Sequence, residues 1–254
     1  MKITVLGCNG GIGGESRTTC LLVDNDILID AGTGVCDLDI AALRKIDHIF
    51  LTHSHFDHIL GIPLIADAVF GSRNSPINIY GLEETINSLK NHIFNWVIWP
   101  DFTALPTKEN PILNFNVIKI GETIKSLDRS ITALPANHVI AAAGFALDSG
   151  KGSIAFSGDS ISCPEFWNCV NEIPNLMHLI IETTFVNADK SIALMSKHFC
   201  PSLLAEDIKK LKGNPSIHIT HLDPSQEIQI MQELKELIFN KKISQLYRKE
   251  IIEI

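Results

Sequence analysis

Three histidines and an aspartate crowd six positions, His53-Ser54-His55-Phe56-Asp57-His58, directly behind the apolar run Ile49-Phe50-Leu51-Thr52. The run reads as a buried strand over 46–52, so the polar string sits in a loop at its end. In extended or loop backbone alternate side chains point the same way. His53 and His55 can therefore share one cation while Asp57 and His58 turn toward a neighbour. Four nitrogen and oxygen donors from one loop cannot close two separate sites, so the fold must bring further donors to this loop from distant segments.

The chain has 254 residues, 45% hydrophobic and 20% charged, which fits one large folded domain over 1–254 and excludes a disordered or fibrous chain. The 21 basic and 29 acidic residues leave a net charge of −8, a field that repels phosphate backbones, so a nucleic-acid partner is not expected. No apolar stretch approaches the roughly 18 residues of a membrane helix. The apolar run before Cys8 is shorter than a secretory segment. The six cysteines, Cys8, Cys20, Cys36, Cys163, Cys169 and Cys200, show no CxxC pairing, so free thiols in a cytoplasmic protein are expected.

Along the chain, strands are predicted over 2–6, 18–23 and 26–29, a short helix from Asp37, a helix over 58–70, a strand over 77–80 and a helix over 83–90. The glycine-rich loop 7–14 is not a dinucleotide fingerprint, because a strand follows it where that motif requires a helix. Phe94, Trp96, Trp99 and Phe102 crowd an insertion around 91–111, which reads as a satellite core or a homodimer contact. Further strands are predicted over 117–120, 131–134, 144–148, 153–157, 178–182 and 216–220, with helices from Pro164, over 201–212 and over 224–239. Such blocks in both halves predict an α/β protein with two sheets packed face to face and helices outside.

Three polar residues stand just past predicted strands: His138 after Leu134, Asp159 after Ser157-Gly158, and His221 after Ile219-Thr220. A rigid sheet presents ligands from loops in this way, and these residue types are what a two-metal centre requires beside His53 to His58. Standing alone, Asp159 is a turn aspartate and either histidine a satisfied polar residue. Glu182 reads as a partner that orients a ligand histidine. His48 or His218 could give similar support.

With Asp30-Ala31-Gly32-Thr33-Gly34, the His53 to His58 string, Gly158-Asp159-Ser160 and Thr220-His221-Leu222 in hand, the chain resembles the metallo-β-lactamase superfamily of hydrolases over nearly its whole length. The resemblance implies a four-layer αββα sandwich. It implies that His53, His55 and His138 hold one metal, that Asp57, His58 and His221 hold the second, and that Asp159 bridges them. The presence of Asp57 argues against β-lactam hydrolysis. Ile180-Ile181-Glu182-Thr183-Thr184-Phe185, Lys197-His198-Phe199-Cys200-Pro201 and the Asn91 to Phe102 aromatic segment resemble bacterial class II 3′,5′-cyclic-nucleotide phosphodiesterases. Where that family commonly has Gly-His and Thr-Pro, this chain has Lys197-His198 and Cys200-Pro201.

The implied activity is hydrolysis of a small phosphodiester, a 3′,5′-cyclic nucleotide, by attack of a metal-bridging hydroxide, with two divalent cations per chain. Zinc is the first choice, and manganese or iron also suit these donors. Asp57 serves the reaction through the metal, and His198 is the candidate general acid for the leaving 3′-oxygen, placed just before the N-terminus of the Pro201 helix. The competing readings are a tRNA 3′-processing endonuclease or an ester, lactone or sulfate hydrolase of the same superfamily, or a non-catalytic metal-binding protein. The last should have lost one of the seven ligand positions, and none is lost.

Overall fold

The computed structural model describes residues 1–126, 128–239 and 241–254. In chain order the strands are β1 (Lys2–Gly7), β2 (Cys20–Val23), β3 (Ile27–Ile29), β4 (His48–Phe50), β5 (Ile77–Gly81), the hairpin β6 (Pro106–Thr107) and β7 (Asn110–Pro111), and β8 (Leu113–Val117). They continue with β9 (Thr123–Ser126), β10 (Arg129–Pro135), β11 (Ala143–Asp148), β12 (Ser153–Phe156), β13 (Leu176–Glu182), β14 (Ser216–Thr220), β15 (Ile243–Gln245) and β16 (Ile251–Glu253). The helices are α1 (Ile40–Leu43), α2 (Phe56–Ile59), α3 (Gly61–Ala68), α4 (Glu83–Ser88), α5 (Pro164–Glu172), α6 (Lys190–Ser196), α7 (Pro201–Asp207) and α8 (Glu227–Leu237).

Two mixed sheets result, ordered β16-β1-β2-β3-β4-β5-β8 and β15-β14-β13-β12-β11-β10-β9. Strand alternation separates three cores. On β3, Ile27 and Ile29 face the layer between the sheets while Leu28 faces the helices outside. On β12, Ile154 and Phe156 face inward while Ala155 packs toward α5 and α7. Central strands buried on both faces require continuous apolar runs, which is how these strands read. The expected αββα sandwich is the observed architecture.

The differences from expectation are local. The helix predicted over 58–70 is two pieces, α2 and α3, meeting at Leu60, with Pro63 in the first turn of α3 where its missing N–H costs nothing. The helix predicted from Asp37 begins later, because the Asp39 carboxylate accepts the Ala42 N–H and caps α1. The strand placed over 117–120 lies earlier, as β8. The edge strands β9, β15 and β16 carry too little apolar alternation to announce themselves. The aromatic segment divides: Phe94 and Phe102 join the outer core of the first sheet, while Trp96, Val97 and Ile98 stay exposed.

All six cysteines are free. No helix among the described residues is long and apolar enough to cross a membrane.

Candidate metal centre

The strands β3, β4, β5 and β8 run parallel, as do β12, β13, β14 and β15, and β10 regains their direction through antiparallel β11. The carboxyl ends of β3, β4, β10, β12, β13 and β14 therefore deliver Asp30, His53 to His58, His138, Asp159, Glu182 and His221 to one edge of the sandwich. Two of these residues leave their strand in the left-handed conformation, Asp30 at φ 56° and His221 at φ 59°, and Gly158 at φ 59° does the same just before Asp159. Such backbone costs an L-residue about 1 kcal/mol and persists where surrounding contacts hold it. Gly10 packs so closely on His221 that a Cβ there would stand 2.8 Å from His221 Nδ1, which explains one glycine of the loop 7–14.

The donor atoms form three overlapping groups whose members lie within 4.8 Å of one another: His53, His55 and His138; Asp57, His58, Asp159 and His221; and His138, Asp159 and His198. Asp159 Oδ2 stands 3.3 Å from both His58 Nε2 and His221 Nε2 and 3.7 Å from His53 Nε2, and so lies between the first two groups. Asp57 Oδ2 is 3.2 Å from His221 Nε2, and His138 Nε2 is 3.3 Å from His55 Nδ1. Donors about 2.0 Å from a tetrahedral zinc stand roughly 3.3 Å from each other, so the spacing suits a divalent cation. The buried Nε2 atoms of His53 and His58 have no hydrogen-bond partner among the described residues, although both point into this cluster. Orphaned nitrogens of this kind are what a metal would satisfy.

The outward Nδ1 atoms of His53, His58, His198 and His221 are all engaged. Thr52 Oγ1 lies 3.0 Å from His53 Nδ1 and donates at 2.8 Å to Asp30 Oδ2, which also binds His58 Nδ1 at 2.7 Å. Thr184 Oγ1 lies 3.0 Å from His221 Nδ1 and donates at 3.2 Å to Glu182 Oε2, while Glu182 Oε1 binds His198 Nδ1 at 2.9 Å. Each arrangement holds its imidazole by Nδ1 and turns Nε2 toward the cluster.

Burial holds the His53 imidazole well below its usual range, with the neighbouring His58 adding to the effect, and burial pushes His138 down to about 4. Both are thus neutral, the form that binds a metal. Burial would also lower His198, but the Glu182 carboxylate outweighs it, with help from Asp159, and holds the ring at about 9. Burial opposes ionisation of Asp159, yet His221 and His58 keep its carboxyl far below the ordinary carboxylate range.

All seven predicted ligand positions and His198 converge here. Glu182 binds His198 directly and reaches His221 only through Thr184. His48 and His218 are not near the cluster: His218 Nε2 lies 3.0 Å from His178 Nδ1, and His48 stacks at a tilt on Tyr80. Asp30, Thr52 and Thr184 also belong to the site, although the sequence patterns give none of them a role. Asp30 carries the one usable signal, since it follows the apolar Ile27-Leu28-Ile29 just as Asp159 and His221 follow their strands.

A family model described as a beta-lactamase superfamily domain matches residues 25–239. A ribonuclease Z of Methanococcus maripaludis is 27% identical, over 87% of this chain and 88% of its own length. A probable 3′,5′-cyclic-nucleotide phosphodiesterase of Yersinia pestis is 25% identical, over 94% of this chain and 82% of its own. Among solved structures, unliganded yeast PDE1 superposes with a TM-score of 0.83 at 20% identity, covering 98% of each chain. The chain belongs to the metallo-β-lactamase superfamily of hydrolases, whose fold implies binding of divalent metal.

Proposed function

We propose that the protein is a binuclear metal-dependent phosphodiesterase that opens 3′,5′-cyclic nucleotides to 5′-nucleotides. His53, His55 and His138 would hold one cation and Asp57, His58 and His221 the other, with Asp159 within reach of both donor sets. Zinc suits these nitrogen and oxygen donors. Bound there, the two cations supply Lewis acidity and an activated water at neutral pH.

The chain's own residues do the rest. Neutral His53 and His138 present Nε2 to the cluster, and Asp30 and Thr52 keep His53 and His58 from rotating. Breaking the P–O3′ bond leaves a poor leaving group until its oxygen takes a proton. His198 supplies that proton from Nε2, because Glu182 holds Nδ1 and stabilises the imidazolium. The pairing of the His198 imidazole with buried Glu182, beside His138 and Asp159, is the observation that carries the proposal.

The exposed residues close in sequence to the site favour a small substrate over RNA. Phe56, Val139, Ile140, Leu194 and Met195, all close in sequence to site residues, are exposed and apolar, while Lys197 already donates to Asn137 and His138. Gripping a phosphate backbone takes several free cations. The ribonuclease Z relatives favour a second reading, tRNA 3′-end cleavage.

The test is hydrolysis of 3′,5′-cyclic AMP, bis(p-nitrophenyl) phosphate and a tRNA precursor by zinc-loaded protein, with His198→Ala in parallel. We expect cyclic AMP turnover that falls about 10²- to 10⁴-fold in His198→Ala. Precursor cleavage without cyclic AMP turnover would move the assignment to the nuclease. Inactivity on all three with two metals bound would end the phosphodiester reading.

A further inference from the structure

Lys197 occupies a place that backbone energetics reserve for glycine. It caps the C-terminus of α6 at φ 57°, ψ 47°, a left-handed conformation that costs a residue with a Cβ about 1 kcal/mol. Glycine would close the same turn without that cost, so the lysine side chain must return something. Its ammonium is not a loose surface charge. It donates at 3.0 Å to the main-chain oxygen of His138 and at 3.0 Å to Asn137 Oδ1. The Lys197 carbonyl in turn faces His138 Nδ1 at 3.4 Å. His138 is therefore held from both sides by one residue, its main chain by the ammonium and its ring by the carbonyl.

The contacts continue as a closed circuit. Asn137 Nδ2 donates to Ser162 O at 2.9 Å, and the Asn137 N–H donates to Ser160 Oγ at 2.9 Å. The Ser160 N–H donates to Glu182 Oε1 at 3.2 Å, the same oxygen that binds His198 Nδ1. His198 follows Lys197 in the chain, which closes the ring. The circuit thus ties together the loops bearing His138, Asp159 and His198, and Lys197 is the link that joins its two ends.

We infer that Lys197 is a positioning residue that aims His138 Nε2 into the donor cluster and sets the spacing between His138 and His198. The inference rests on the proposed ligand role of His138. Lys197→Gly is the decisive variant, because it relaxes the backbone, keeps the turn and the main-chain oxygen that faces His138 Nδ1, and removes the side chain with its ammonium. Lys197→Arg restores donors at the same place.

Metal-stripped wild type, Lys197→Gly and Lys197→Arg are titrated with zinc by calorimetry, and melting is followed in parallel. Wild type should bind two zinc ions. Lys197→Gly should keep or raise its melting temperature without metal, yet bind one of the two ions about tenfold more weakly, the usual effect of removing a partner that orients a ligand. Its kcat should fall with KM little changed, and Lys197→Arg should recover part of both losses. A glycine variant as tight for both ions as wild type would overturn the inference while leaving the centre standing. Wild type that binds no zinc would overturn the ligand reading and the inference with it.

Discussion

Two buried carboxylates, one behind each sheet, carry the same wiring. Asp30, after β3, binds His58 directly and His53 through the Thr52 hydroxyl; Glu182, at the end of β13, binds His198 directly and His221 through the Thr184 hydroxyl. The surroundings differ. Asp30 receives one main-chain N–H, from Thr52, and both its imidazoles aim Nε2 into the donor cluster. Glu182 receives two, from Ser160 and Phe199, and its direct partner His198 is the histidine outside the proposed ligand set. Under the proposed function, the same hydrogen-bond chemistry orients two metal donors on the Asp30 side, and on the Glu182 side orients one donor, His221, and holds the proton of His198.

Cutting the direct link on the Glu182 side should give the largest effect. Glu182→Gln removes the charge that stabilises the His198 imidazolium, so kcat/KM should fall on the order of 10²-fold. The sign on the pH axis follows from the protonated form being the active one. Activity limited by His198 persists below its pKa and is lost as pH rises through about 9 in the wild type. In Glu182→Gln that basic limb should move toward the ordinary histidine value, near pH 6.5, in a pH–rate profile. A limb that stays in place would remove His198 from the role of acid.

The matching cut on the other side should act on metal instead. Asp30→Asn loosens His58 and, through Thr52, His53, and zinc affinity measured by competition with a chelator should weaken about 10- to 100-fold. The basic limb should not move. A shifted limb with unchanged metal affinity would mean that the two carboxylates are not specialised.

The relayed contacts should give the smallest effects. Thr52→Val and Thr184→Val each remove one hydroxyl, at roughly 1 kcal/mol in thermal or denaturant unfolding. Thr52→Val should weaken zinc binding more than Thr184→Val shifts the basic limb, because Thr184 is not the only contact holding Glu182. Equal effects on both readouts would blur the distinction.

Much of the site is legible in the amino-acid sequence. His53, His55, Asp57 and His58 declare themselves by spacing, and His138, Asp159 and His221 by standing just past apolar strands. Asp30 obeys the same rule and opens a motif of the family resemblance, yet its role is not legible, because an aspartate before Ala-Gly-Thr-Gly reads equally as a turn residue. The roles of Thr52 and Thr184 are not legible either, since a threonine near a histidine or a glutamate is common. Edge strands β9, β15 and β16 escape for a different reason: an edge is only half-buried, so little apolar alternation is demanded of it.

Local chemistry sets what the sequence by itself determined: buried strands from unbroken apolar runs, helix starts from capping residues, a loop rich in metal donors, and a net charge of −8. Only the tertiary structure decided which imidazole nitrogen faces the cluster, that Glu182 serves His198 before His221, and that Lys197 grips His138 from across the chain. Those outcomes depend on loops far apart in the sequence meeting within hydrogen-bond distance, as Lys197 and His138 do at 3.0 Å. Such pairings are fixed by sheet order and strand direction, which no local pattern encodes.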